Sequence, residues 1–343
     1  MKYIRRVVFL TVLVSLAWYV ASVLERKNSY SDMMCNFESL PYGMVDVLCV
    51  GSSHLYCTVN PVEMYRRKGI RAYVLGTRQQ PPEVSYDYIR RAMERQPIST
   101  VVLETFMFAH DVRPFALEEG VVHDSLDPLT FSLDKVRLAK ELWISDDIEN
   151  HVIPFMKYHC RRRELVNYDF RLLNRGVTVA KNFGFPIFHQ SKPSPIQPKD
   201  CQSVDPVALD EYYLLWLDRI RNLVSEKGAC LVLLSAPYCI TSEELRRHRA
   251  IFDYAQKHGL GYVDMNKSLE NLLLKRDEDF FDPGHLNVLG AEKASRFVAD
   301  QLSQIVGAHV ETNQDQNVRA LWEKECARYD TMKAAALLKG RSR

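Results

Sequence analysis

The chain has 343 residues, 47% of them hydrophobic, which suffices for one large α/β domain or two small ones around a buried core. Lys and Arg number 45 against 43 Asp and Glu, leaving a formal net charge of +2. So even a balance gives no bulk electrostatic reason to invoke nucleic acid, and that partner class is set aside.

Lys2, Arg5 and Arg6 precede residues 7–24, an 18-residue stretch without a charged side chain, and Glu25, Arg26 and Lys27 close it. A run of this length lies at the short end of what spans a bilayer. The positive flank places the N-terminus in the cytoplasm and the remaining chain outside, as a single-pass anchor over residues 1–27. A cleavable signal peptide is the rival reading, but Ala21-Ser22-Val23-Leu24 makes a poor cleavage site, so the anchor is favoured. Residues 28–44 are polar and mixed and read as a linker ending in a Pro41-Tyr42-Gly43 turn.

The globular rhythm begins at Val45. Residues 45–50 form a β-branched, apolar run stopped by Gly51-Ser52-Ser53, the pattern of a buried parallel strand delivering a serine at its carboxyl end. Asn60 and Pro61 open a short helix that Gly69 ends. A second strand over 71–75 stops at Gly76, and Tyr86, Ile89 and Met93 mark the buried stripe of the next helix. Residues 99–104 give a third strand, so the order is βαβαβ and the sheet parallel.

Regularity then lapses over residues 106–205, an insertion of roughly a hundred residues with helical signals near 135–144 and 151–173. It ends in a proline-rich extended loop over 190–198. Insertions of this length commonly form the lid or binding surface over a site. The core resumes with a helix over 207–224, a strand over 230–235, a capping box at Thr241 and Glu244, and a strand over 261–265. Asp282-Pro283-Gly284-His285 then leads into a helix over 289–302. The tail from 307 is polar, with Val318, Leu321, Trp322, Tyr329 and Met332 placed for one amphipathic helix that packs on the domain or on a partner. Eight cysteines occur without a CxxC pair, which suggests neither a zinc site nor a thioredoxin-type motif, and mostly free thiols are expected.

Gly51-Ser52-Ser53 after a first strand, with Asp282-Pro283-Gly284-His285 near the end of the fold, resembles the SGNH (GDSL-type) hydrolase and acyltransferase superfamily over about residues 45–302. The resemblance implies a flavodoxin-like three-layer sandwich of about five parallel strands with a long insertion after the third. It also implies Ser53 as nucleophile, His285 as general base and Asp282 as its orienting carboxylate. The chemistry asks for these types on its own account: a serine hydroxyl is a weak nucleophile until an imidazole takes its proton, and the imidazole needs a carboxylate to hold its tautomer. By the same resemblance Gly76 supplies a backbone oxyanion donor beside the N–H of Ser53.

Two departures stand out. Ser52 replaces the usual Asp before the serine, as in membrane-anchored branches that resemble cell-surface O-acylation proteins. Leu103-Glu104-Thr105-Phe106 stands where the family has an oxyanion Asn, so Gln79 or Gln80 is the available side-chain substitute, and Glu104 is expected to bind a cation, cap a turn or orient another group. His54 is read as capping or packing its helix, with a second catalytic histidine as the alternative. His110, His123, His151, His159 and His189 lack metal spacing and are read as ordinary. Arg161, Arg162 and Arg163, with Arg171 and Arg175, read as a solvated face, or as a surface for an anionic polymer or lipid headgroups.

The expectation is thus an extracytoplasmic, membrane-anchored serine esterase or O-acyltransferase acting on acylated cell-envelope polysaccharide or glycan, without cofactor or metal. A membrane-embedded acyltransferase partner is implied by the resemblance alone. A catalytically silent glycan-binding or assembly subunit of the same fold is the alternative, and a lipid-directed esterase a third.

Overall fold

The computed structural model describes residues 2–24, 29–129, 131–142, 148–167, 169–170, 181–307 and 315–341. The chain opens with two helices, α1 (Lys2–Leu24) and α2 (Ser29–Glu38), before the first strand, β1 (Val47–Gly51). There follow α3 (Ser53–Tyr56), α4 (Pro61–Lys68), β2 (Ala72–Gly76), α5 (Pro82–Arg95) and β3 (Thr100–Glu104). Short helices α6 (Phe106–His110), α7 (Glu119–Leu126), α8 (Leu133–Leu142), α9 (Ile148–Val152) and α10 (Pro154–Tyr158) come next. The second half is α11 (Glu211–Glu226), β4 (Cys230–Ser235), α12 (Ser242–Lys257), β5 (Gly261–Asp264), the pair β6 (Phe280–Asp282) and β7 (His285–Leu286), α13 (Val288–Ile305) and α14 (Gln316–Arg341).

The five main strands pair in parallel in the order β2-β1-β3-β4-β5, so the chain starts in the interior of the sheet, goes to one edge and then works to the other. Successive side chains along a strand face opposite sides, and two apolar cores result. Leu48, Val50, Val101, Leu103, Leu231 and Leu233 face one core with α5 and α11, while Val47, Cys49, Val102, Val232 and Leu234 face the other with α4 and α13. Both faces are covered, which explains why the strands read as continuous apolar runs rather than alternating ones. β1 lies between two neighbours, and its C-terminal end is therefore held from both sides.

Residues 28–44, read from sequence as a linker, contain α2. Met33, Met34 and Phe37 on that helix are buried in the core shared with α5, and the Tyr73 hydroxyl donates to the Met33 carbonyl (2.8 Å). This stretch belongs to the packed fold, and Met33, Met34 and Phe37, set among polar neighbours, are its local signal. Between β3 and β4 no strand occurs among the described residues. α8 covers the described part of the helix expected near 135–144. The helix expected over 151–173 is broken instead: proline has no N–H to continue a helix and is favoured in a first turn, and Pro154 starts α10 after an extended Ile153, with a 3-10 turn following at His159–Arg163. Arg171 and Arg175 lie outside the described residues.

α1 is the one described helix long and apolar enough to cross a membrane, with mean hydropathy 2.3 over its best window and little of it packed on the domain. Its 23 residues span about 35 Å, close to a bilayer's hydrocarbon thickness. At the other end α14 docks on the domain through Trp322. This indole is fully buried, stacks on Phe183 (centroids 3.8 Å) and Tyr65 (4.7 Å), and donates from Nε1 to the Met44 carbonyl (3.0 Å). About two and three helical turns further on, Tyr329 and Lys333 both bond the Glu292 carboxylate on α13.

Trp322→Ala removes that anchor and leaves a cavity. It is expected to cost about 3–5 kcal/mol in unfolding free energy by urea titration. A loss under about 1 kcal/mol would show that α14 is only loosely applied to the domain.

Candidate active site

The site is assembled at the C-terminal ends of β1 and β3. β1 ends at Gly51, Ser52 turns the chain and N-caps α3 by accepting from the His54 N–H (3.2 Å), and Ser53 is the first residue of that helix. Glu104, the last residue of β3, is fully buried beside this turn. Its Oε2 accepts from the Ser52 N–H (3.1 Å) and the Ser52 hydroxyl (2.7 Å), and its Oε1 from the Phe106 N–H (2.5 Å). A Cβ on residue 51 would lie 2.5 Å from the Glu104 Cβ, so only glycine lets the two strand ends approach this closely. Two of the roles read for Glu104 from the sequence match these bonds: it caps the turn after β3 through Phe106 and orients Ser52. Burial pushes its carboxyl up to about 7 against the opposing pull of the three donors.

His285 arrives from a separate hairpin. β6 and β7 pair antiparallel with Asp282 opposite His285, and Pro283-Gly284 makes the two-residue turn. The Gly284 N–H donates to Asp282 Oδ1 (2.8 Å), which closes the turn on the carboxylate itself. His285 Nδ1 lies 2.9 Å from both Asp282 oxygens, and His285 Nε2 lies 2.9 Å from the Ser53 hydroxyl. An ionised carboxylate only accepts, so Nδ1 carries the proton and neutral Nε2 is left to accept from Ser53. The structure thus brings Ser53, His285 and Asp282 into one hydrogen-bonded chain across 232 residues of sequence. Ser194, on the proline-rich loop, donates its hydroxyl to the Pro283 carbonyl (2.7 Å) and ties that loop to the same turn.

His54 packs behind this chain. Its ring stacks on His285 (centroids 4.6 Å, 15° between planes) and lies against Phe106 (4.2 Å) and Tyr238 (4.9 Å). Burial first, and then the adjacent His285, hold the His54 imidazole well below the usual histidine range, so the stacked ring is neutral. It does not reach Ser53 by any hydrogen bond among the described residues, which fits a packing role for His54.

Ser53 and His285 open into a cavity of ≈ 500 Å³ whose wall includes Phe188, Phe281, Leu117, Val121, Arg78 and Gln79. Two residues read from sequence as oxyanion donors are turned elsewhere. The Gly76 N–H points to Met33 Sδ (3.3 Å) in the α2 core, and a Cβ there would press within 3.0 Å of the Gly51 carbonyl, so this glycine serves close packing of strand ends. Gln80 is buried, accepting from Thr77 Oγ1 (3.2 Å) and donating to Ser85 Oγ (3.0 Å). Gln79 alone of the three lines the cavity, on a left-handed backbone (φ +40°) that few side chains adopt. The Ser53 N–H, first in its helix, has no intrahelical acceptor. No protein-family model and no curated protein matches the chain, so the chemistry is argued from these groups themselves.

The position of Glu104 carries a pH signature. Its folded value of about 7 stands above the 4.5 of an ordinary glutamate, so the native state holds this proton more tightly than the unfolded chain. The associated stability is full below about pH 4.5 and is lost as the pH rises through about 7. Glu104→Gln has no such proton to lose, and other titrating groups are common to both proteins. Urea titrations are expected to show the variant gaining on the wild type between about pH 5 and about pH 8; a pH-independent difference would remove Glu104 as the titrating group.

Proposed function

We propose that the protein is a serine-dependent O-acyl esterase or O-acyltransferase of the SGNH superfamily, with a flavodoxin-like domain and a long insertion after its third strand, acting on acylated cell-envelope polysaccharide or glycan. The observation that carries this reading is the Ser53–His285–Asp282 hydrogen-bonded chain opening into the ≈ 500 Å³ cavity. Ser53 attacks the acyl carbonyl while His285 Nε2 takes its proton. Asp282 stabilises the imidazolium that forms, and His285 then returns the proton to the departing alcohol oxygen. Water or a sugar hydroxyl, deprotonated in turn by His285, attacks the acyl-enzyme and releases Ser53. The Ser53 N–H and Gln79 are the groups available to the developing oxyanion. Phe188, Phe281, Leu117 and Val121 supply the apolar surface for an acyl group, and Arg78, paired with Asp124, a polar rim.

α1 is the proposed single-pass anchor, with Lys2, Arg5 and Arg6 on the cytoplasmic side and the domain outside the cell membrane. A membrane-embedded acyltransferase is the proposed partner that delivers acyl groups to such a domain. A catalytically silent glycan-binding subunit is the second reading, favoured by one observation: the Gly76 N–H is engaged by Met33 rather than turned to Ser53.

A fluorophosphonate probe separates the two. Wild-type protein is expected to be labelled and Ser53→Ala not, with Ser53→Ala and His285→Ala each lowering kcat/KM on a p-nitrophenyl ester by on the order of 10⁴-fold or more. An unlabelled wild type selects the silent subunit.

A further inference from the structure

Three potential ligand atoms converge in the segment between β3 and β4, away from Ser53. Glu119 and His123 lie one turn apart on α7, and His151 of α9 meets them from 28 residues further along the chain. His123 Nε2 and His151 Nδ1 are 3.1 Å apart, and Glu119 Oε1 is 3.5 Å from the first and 3.4 Å from the second. The three atoms make a nearly equilateral triangle. Zinc bonds to imidazole nitrogen and carboxylate oxygen at about 2.0–2.1 Å, and tetrahedral geometry then sets neighbouring ligand atoms roughly 3.3–3.4 Å apart. The triangle is therefore one face of a zinc tetrahedron to within a few tenths of an ångström.

His123 Nε2 and His151 Nδ1 are at hydrogen-bond distance from each other, whereas Glu119 Oε1 stands farther from both. A charge-assisted N–H to carboxylate bond closes to about 2.7–2.9 Å, whereas both Glu119 contacts stop at 3.4–3.5 Å. Two imidazoles with one carboxylate suit zinc and its first-row relatives, while magnesium and calcium select oxygen donors. The two imidazoles are mostly buried, and the Glu119 side chain is 64% exposed. Lys157 is paired with Asp127, and Lys135 donates to the Leu129 carbonyl.

We propose that Glu119, His123 and His151 bind one zinc ion, with water as the fourth ligand, and that the ion staples α7 to α9. The spacing among the histidines conceals such a site, because the partner of His123 on α7 is a glutamate and the third ligand comes from another helix. The staple bears on the cavity as well: Leu117 and Glu118, just before α7, and Val121, in its first turn, line one wall of the cavity into which Ser53 opens. Joining α7 to α9 fixes that wall, whatever reaction the cavity hosts.

The test uses the full-length protein in detergent, stripped with a chelator, exposed to Zn²⁺ and dialysed. Elemental analysis is expected to find about one zinc per chain and no retained Mg²⁺ or Ca²⁺. Zn²⁺ raises the thermal midpoint of the wild type, and zinc-edge X-ray absorption reports two imidazoles among ligands near about 2.0–2.1 Å. Glu119→Gln, His123→Ala and His151→Ala lose the zinc and the thermal response, while His159→Ala, at an exposed neighbouring histidine, keeps both. If a variant fails to fold, the wild-type absorption spectrum still decides. A wild type that retains no zinc, a spectrum without imidazole ligands, or zinc retained equally by folded Glu119→Gln and His151→Ala overturns the site and leaves an imidazole pair joined by a hydrogen bond.

Discussion

A carboxylate buried at the end of β3 holds the turn on which Ser53 stands. Glu104 takes both the N–H and the hydroxyl of Ser52 on one oxygen and the Phe106 N–H on the other, so a single side chain locks the chain leaving β1 to the chain leaving β3. Burying a carboxyl in an apolar core is costly unless its lone pairs are used. Here three donors use them, and the residual cost appears as the upward pull on its proton affinity. The same closeness dictates Gly51, because any Cβ there collides with Glu104. Ser52 suits such a carboxylate: its hydroxyl donates to it, whereas an acidic side chain there would repel it.

With the serine turn held by the sheet, the histidine is held by a hairpin of its own. Asp282 receives both the Gly284 N–H and the His285 Nδ1–H, so the carboxylate that orients the imidazole also shapes the turn that carries it. The rear of the His285 ring rests on His54, and His54 rests on Phe106, the residue whose N–H binds Glu104. The two halves of the site therefore share a wall. The His54 ring that backs His285 is held neutral, by burial first and then by that neighbour.

The remaining elements serve the positions of these two. α2 fills the core beside β2, and its Met33 sulfur takes the Gly76 N–H, which withdraws that donor from the cavity. The segment between β3 and β4 supplies the outer wall through Leu117 and Val121, and the proline-rich loop is bonded to the hairpin turn through Ser194. α14 closes the opposite side, where Trp322 joins α14 to Met44 just before β1. The strand that delivers Ser53 is thereby fixed at its start as well as its end.

The parallel sheet was legible in the sequence, because strand length, apolar runs and glycine or proline stops are local signals. Each of the five strands lies within a residue or two of its expected span. The types that could form a serine site were legible too, from Gly51-Ser52-Ser53 and the Asp282-to-His285 spacing. What the tertiary structure alone decided is the direction in which groups face. Gly76 and Gln80 have the right chemistry for oxyanion donors, yet their N–H groups are engaged by Met33 and Ser85, and only packing of α2 and α5 against the sheet determines that. Glu104 acquires its role from Ser52, a residue 52 positions away that becomes its neighbour only when β1 pairs with β3. His123 and His151 read as unrelated until α7 and α9 pack. Periodicity is a property of neighbours along the chain, whereas the facing of a donor is a property of neighbours across it.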